Sequence, residues 1–233
     1  MKKAKKITTL LLGTTLLAGL ALGGCGTSTS AASNGDAELK LYQGMGQTSV
    51  FRARLDKETN KEAYSTSTVT ASAVFDENDK VVSVEFDTLE ITPEAHGEGG
   101  AVFAGWPGGA VTKDALTKDV ENWQTKRERG DANYGMNWSE QIDSYQDFFK
   151  GKTVEEIEQW FAKSASDANG KPLTAEATDP QDVEKYNKLT DEEKEALADV
   201  TSGASISLKD AHGDFIGALK EAFENKKEIS FTE

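Results

Sequence analysis

The sequence predicts an α+β fold: an antiparallel β-sheet from the N-terminal half, followed by helices toward the C-terminus. Two observations predict the sheet. Thr66 to Phe75 (TSTVTASAVF) and Val81 to Ile91 (VVSVEFDTLEI) are rich in β-branched residues and partly alternate, and the turn-rich Asp76-Glu-Asn-Asp-Lys80 joins them as a hairpin. A third predicts the helices: Thr-x-x-Glu boxes open two segments in the second half, and an apolar stripe of helical spacing closes the chain.

Taken in order, the chain opens on MKKAKK, continues through ITTLLLGTTLLAGLALGG and reaches Cys25. A basic start, an apolar stretch and small residues before a cleavage point are the parts of a secretory signal, assigned to residues 1–24. A membrane-spanning helix needs about 20 predominantly apolar residues. Here Thr8, Thr9, Thr14, Thr15 and several glycines interrupt the run. Leu22-Gly-Gly-Cys25 resembles the lipobox of bacterial lipoproteins, which implies a lipidated Cys25 as the first mature residue, carrying diacylglycerol. Cys25 is the single cysteine, so no intrachain disulfide can form. Residues 25–36 then read as a flexible membrane tether. The eleven residues after the cysteine extend at most about 36–40 Å, so residues 37–233, read as one domain, are held close to the membrane.

Leu39 to Gln43 reads as a further strand, with Gly44 and Gly46 marking a bend or a close backbone approach. Gly97 to Gly109 (GEGGAVFAGWPGG) reads as a glycine-rich loop. It lacks the Gly-Lys-Ser/Thr ending of a phosphate-binding P-loop. Thr153-Val-Glu-Glu156 is a capping box, after which Val154, Ile157, Trp160 and Phe161 line one face. Thr190-Asp-Glu-Glu193 repeats the signature. Ser207-Leu-Lys-Asp210 is read as the start of the last helix, with Ser207 as N-cap. Its apolar stripe is Ala211, Phe215, Ala218, Leu219, Ala222 and Phe223, a core face.

Charge bounds the partners. Four lysines leave with residues 1–24, taking the formal net charge from −14 to −18 over the remaining 209 residues. Such acidity argues against nucleic acid and against anionic lipid as binding partners. The two histidines, His96 and His212, form no cluster with metal-ligand spacing, so no metal site is expected. His212 is placed in the first turn of the last helix, approaching an anion or facing solvent, with solvent favoured. No Gly-x-Ser-x-Gly elbow supports a serine hydrolase, and the carboxylates are too numerous to single out an acid/base pair, so no catalytic residue is assigned.

The stretch Ala198 to Phe215 (ADVTSGASISLKDAHGDF) stands apart. Asp199, Ser202, Gly203, Ala204 and Ser205 give little bulk to a core, and a helix starting at Ser207 would set amides and a positive dipole end beside them. An anion site and a serine-rich capping loop both fit this composition. Asp199-Val-Thr-Ser202-Gly203-Ala204-Ser205 resembles the D-x-x-[ST]-G-A-[ST] motif of the FMN-binding domain family, which includes Gram-positive lipoproteins of extracellular electron transfer. In that family a flavin transferase moves FMN from FAD onto the last Ser or Thr of the motif. The resemblance implies Ser205 as the acceptor of a covalent phosphoester, with Asp199, Ser202, Gly203 and Ala204 forming the recognised loop. Val69 to Asp87, Thr125 to Met136 and the Gly151-Lys152-Thr153 helix start also look like parts of this family. The aromatics Tyr134, Trp138 and Tyr145 are candidates to lie near an isoalloxazine ring, with core or surface packing favoured for each. The resemblance thus implies an FMN-binding-type domain, lipid-anchored on the extracytoplasmic face. It would carry electrons from an unidentified donor to an unidentified acceptor rather than convert a substrate. The rival readings are a flavin-free lipoprotein that binds a solute or protein, and a precursor releasing a short apolar signal peptide such as LLAGLALG.

Overall fold

A computed structural model describes residues 40–55, 62–91, 93–95, 101–103, 124–129 and 137–230. The leader, Cys25 and the tether lie outside the described residues. So do His96, Tyr134 and most of the glycine-rich stretch.

Strands β1 (Tyr42–Leu55), β2 (Glu62–Phe75) and β3 (Val81–Ile91) form an antiparallel meander. With β8 (Lys227–Glu228) they make a four-stranded sheet of order β3-β2-β1-β8. The β2–β3 turn is built as its residues suggest: the Asp76 carboxylate accepts from the amides of Asn78 and Lys80, both at 2.9 Å, and Asp79 takes φ 63°. A short ribbon pairs β4 (Pro93–Ala95) with β5 (Ala101–Phe103). Part of the stretch read as a glycine-rich loop is therefore strand, Ala101 to Phe103 having found a pairing partner. Then follow α1 (Lys126–Arg129), α2 (Trp138–Phe149), α3 (Val154–Ser164), α4 (Pro180–Asn187) and α5 (Asp191–Gly203). The two-residue strands β6 (Lys209–Asp210) and β7 (Gly213–Asp214) lead into α6 (Phe215–Glu224). This is the mixed α+β architecture expected from the sequence, in a single domain.

The helices cover one face of the sheet. Alternation along β2 and β3 turns Val69, Ala71, Ala73, Phe75, Val84 and Phe86 inward, all buried, against Ile142, Tyr145 and Phe149 of α2 and Phe215, Leu219 and Ala222 of α6. Each large side chain buried this way contributes about 1.5–3 kcal/mol. α6 lies on a floor of small residues, because Gly44 pairs with Ala73 and Gly46 with Ala71. A Cβ built on Gly44 would stand 1.8 Å from the Ala222 carbonyl oxygen, and one on Gly46 2.1 Å from that of Ala218. The close approach expected of these glycines is real, and its partner is a helix backbone.

β1 is much longer than the strand read at Leu39 to Gln43, and begins three residues later. Two of its inward positions, Gly44 and Gly46, are glycines under α6, and its outward face mixes Gln43, Gln47 and Ser49 with the exposed Met45, Phe51 and Leu55. It therefore has no apolar alternation to read. Both capping boxes form: Thr153 and Thr190 each accept from the amide three residues on, while Glu156 and Glu193 return a bond to the cap amide.

Candidate functional site

The seven residues Asp199 to Ser205 straddle a helix end. Asp199, Val200, Thr201, Ser202 and Gly203 are the last turn of α5, and Ala204 is its C-cap, its amide donating to the Val200 carbonyl at 2.9 Å. The segment expected to be a loop is thus mostly helical. The helix start expected at Ser207 is absent. Asp210, read as part of that first turn, instead accepts from the His212 amide at 2.7 Å, in a turn that folds Lys209–Asp210 back on Gly213–Asp214. α6 starts at Phe215, with Asp214 capping the Gly217 amide at 2.7 Å. Two consequences follow. Ser205 comes just after the negative end of α5 rather than before a positive end. Ala211 is exposed outside the helix, while the remainder of the expected stripe does pack against the core.

α2 grips the segment at three points. The Ser144 hydroxyl fills the space that a side chain at Gly203 would need, lying 2.2 Å from where a Cβ would be. Gly203 thus serves the packing of α5 on α2. One turn earlier, the Gln141 Oε1 accepts from both the amide of Ser205, at 2.9 Å, and its hydroxyl, at 3.3 Å. The Tyr145 hydroxyl donates to the Ile206 carbonyl at 2.9 Å, and burial pushes its pKa upward, so it stays a donor. Beyond these, the Ser207 hydroxyl donates to the Asn169 carbonyl at 2.5 Å, and the Leu208 amide to that of Gly170 at 3.1 Å. Ser205 is left exposed on a crest that is tied down on both sides.

The three serines of the segment differ in what holds them. Ser202 donates to the Asp199 carbonyl at 2.7 Å and Ser207 to a carbonyl at 2.5 Å. Ser205 has only the longer contact to a side-chain amide.

Trp138 and Tyr145 are core residues, as favoured for them, and present no open ring face. Trp138 lies beneath the Lys126 ammonium and the Arg127 guanidinium, each 5.9 Å from a ring centroid. Arg127 binds α1 to the sheet and to α2 through the Phe86 carbonyl at 2.7 Å and through Asp143 and Gln146, both at 2.8 Å. Glu90 on β3 pairs with Lys126 at 3.7 Å and Arg129 at 3.5 Å. Burial lowers the Lys126 pKa, against the charge of Glu90, which raises it. Through Asp143 and Gln146, Arg127 holds the middle of α2, the helix that carries Gln141.

His212 is exposed, as favoured, although it sits in the β6–β7 turn rather than in a helix. Arg52 can only donate, so it fixes the ring tautomer: Nε2 accepts from Arg52 at 2.8 Å, and Nδ1–H points to Asp210 at 3.3 Å. Among the described residues no group of three or more His, Cys, Asp or Glu could hold a metal ion. No described helix is long and apolar enough to cross a membrane.

Sequence reasoning missed Gln141. The spacing of Trp138, Ile142, Tyr145 and Phe149 would have located its helix, but nothing local ties it to a serine 64 residues away. For an esterified nucleotide, the fit is at the attachment point: an exposed hydroxyl, anchored neighbours and a half-buried amide beside it.

No family model matches the chain, and no solved structure matches it. The chain is similar to a protein of Desulfitobacterium hafniense named chlorophenol reductase, 39% identical over 205 residues. That alignment covers 82% of this chain but spans only 59% of the length of the curated relative.

Proposed function

We propose that the protein is an extracytoplasmic electron carrier, lipid-anchored through Cys25, with FMN esterified to Ser205 by a flavin transferase. The observation that carries this reading is the contrast among the three serines. Ser202, also exposed, and Ser207 donate to backbone carbonyls, whereas the last hydroxyl of the Asp199–Ser205 segment is exposed and held only by a longer bond to a side chain. Its similarity to a protein named as a reductase, along most of this chain, supports a redox role. Reduction of a chlorophenol belongs to that longer protein; for this chain we propose the electron-carrying part, with donor and acceptor unassigned. When attached, FMN supplies the exchange of one or two electrons. The chain's own part is to present Ser205, to keep the loop fixed through α2, and to hold the domain near the membrane.

The test is peptide mass mapping of the protein co-produced with a flavin transferase. Ser205→Ala is expected to fold normally, since an exposed hydroxyl contributes at most about 0.5 kcal/mol, and to carry no covalent FMN. Ser205→Thr should retain the adduct. Ser202→Ala should impair modification less completely. FMN on Ser202 or Ser207, or an adduct that persists in Ser205→Ala, would show the assignment to be wrong.

A further inference from the structure

Gln141 takes two hydrogen bonds from one residue, and only through its oxygen. Its Nε2 has no hydrogen-bond partner among the described residues. We propose that Gln141 is the positioning residue for modification of Ser205: an acceptor that orients the hydroxyl beforehand, and a donor to the phosphodiester afterwards. The inference rests on the proposed FMN attachment.

The geometry gives the first half. With its proton aimed at Gln141, the Ser205 Oγ turns its lone pairs away from α2 and toward solvent, the side from which a dinucleotide can approach. The amide bond to the same Oε1 fixes the Ser205 backbone. The Ser144–Gly203 and Tyr145–Ile206 contacts on either side hold the loop independently of Gln141. In the transfer, Oγ forms a bond to the flavin-side phosphorus of FAD, and the diphosphate P–O bond breaks. AMP leaves with the bridging oxygen and its electron pair, and the hydroxyl proton passes to the transferase or to water. Nothing is oxidised or reduced.

Chemistry gives the second half. The esterified Oγ would no longer have a proton to donate, and an anionic phosphodiester would stand beside an amide group whose N–H bonds have no partner among the described residues. A partial turn of the Gln141 carboxamide, with Oε1 still accepting from the Ser205 amide, brings Nε2–H toward that acceptor and gives a charge-assisted hydrogen bond just past the negative end of α5. A glutamate at this position would keep the shape and the acceptor but could not donate, and it would repel the phosphate. If Gln141 only pinned the loop, glutamate would serve equally well.

The experiment compares mature wild-type protein with Gln141→Glu and Gln141→Met, each incubated with flavin transferase, Mg²⁺ and FAD, with adduct followed by intact mass. Both variants should be modified about tenfold more slowly or worse, as loss of one charge-assisted hydrogen bond implies. The second readout needs no variant to fold. In the ¹⁵N spectrum of wild-type protein, the assigned Gln141 side-chain NH₂ resonances should move downfield on modification. A wild-type rate for Gln141→Glu, or side-chain resonances unmoved in fully modified protein, would overturn the inference. Wild-type protein that takes no FMN on Ser205 would instead overturn the proposed function itself, and this inference with it.

Discussion

Gly203 and Ser144 occupy one space between α5 and α2. Adding a methyl group at Gly203 places it 2.2 Å from the Ser144 Oγ and 3.1 Å from its Cβ, so one of the two must move. Gly203→Ala should cost about 1–3 kcal/mol through overpacking. Ser144→Ala should return part of that loss, because it removes the closer atom. Urea unfolding of the two single variants and the double variant measures the coupling, and strictly additive effects would contradict this packing. Tyr145 acts nearby by a different means. Tyr145→Phe keeps the packing but strips the Ile206 carbonyl of its donor, for an expected loss of about 1–3 kcal/mol. The same melts should detect it, with the larger consequence a looser Ser205 loop seen as faster amide exchange over residues 204–208.

Among the elements, α6 depends most on what lies beneath it. Gly46→Ala drives a methyl group into the Ala218 carbonyl oxygen, and backbone cannot rotate aside as a side chain can. A loss of about 3 kcal/mol or more is expected, and differential scanning calorimetry would register it; an unchanged transition would refute the close contact. α5 depends on its ends. Thr190→Ala removes the cap that accepts from the Glu193 amide at 3.2 Å and should cost about 1 kcal/mol. Because α5 carries Gly203 and delivers Ser205 to α2, fraying at its start is remote from the site by a dozen residues. Flavin attachment at Ser205 should therefore survive Thr190→Ala, whereas Gly203→Ala should slow it.

For the whole molecule, the proposed anchor and the proposed cofactor should be separable. Cys25→Ala should leave an unlipidated protein that moves to the aqueous phase on detergent partitioning and is not processed normally. Its Ser205 should still accept FMN from a flavin transferase in solution, since the proposed tether separates the two sites. Native protein found in the aqueous phase with an unmodified Cys25 would refute the anchor. The strong negative charge of the chain is consistent with a surface held beside, but not bound to, an anionic membrane.

The sequence by itself determined the parts whose chemistry is local. The β2–β3 hairpin follows from its β-branched strands and the Asp76 turn. The starts of α3 and α5 follow from two capping boxes, and the inner face of α6 from its spacing between Phe215 and Phe223. Each depends on residues within a turn or two of one another, so each is written in the order of the chain. Tertiary structure decided the rest. β1 runs to Leu55 because it pairs with β2 along its whole length, and its glycines at 44 and 46 lie under α6, a cover of which strand periodicity carries no sign. α6 begins at Phe215, capped by Asp214, because residues 209–214 pair as a short ribbon instead of starting the helix. Which of the three serines keeps its hydroxyl off a backbone carbonyl, and that Gln141 faces it, depend on α2 packing against a segment some 60 residues away. A contact of that range is set by how the core closes, and it leaves no mark in the sequence near either partner.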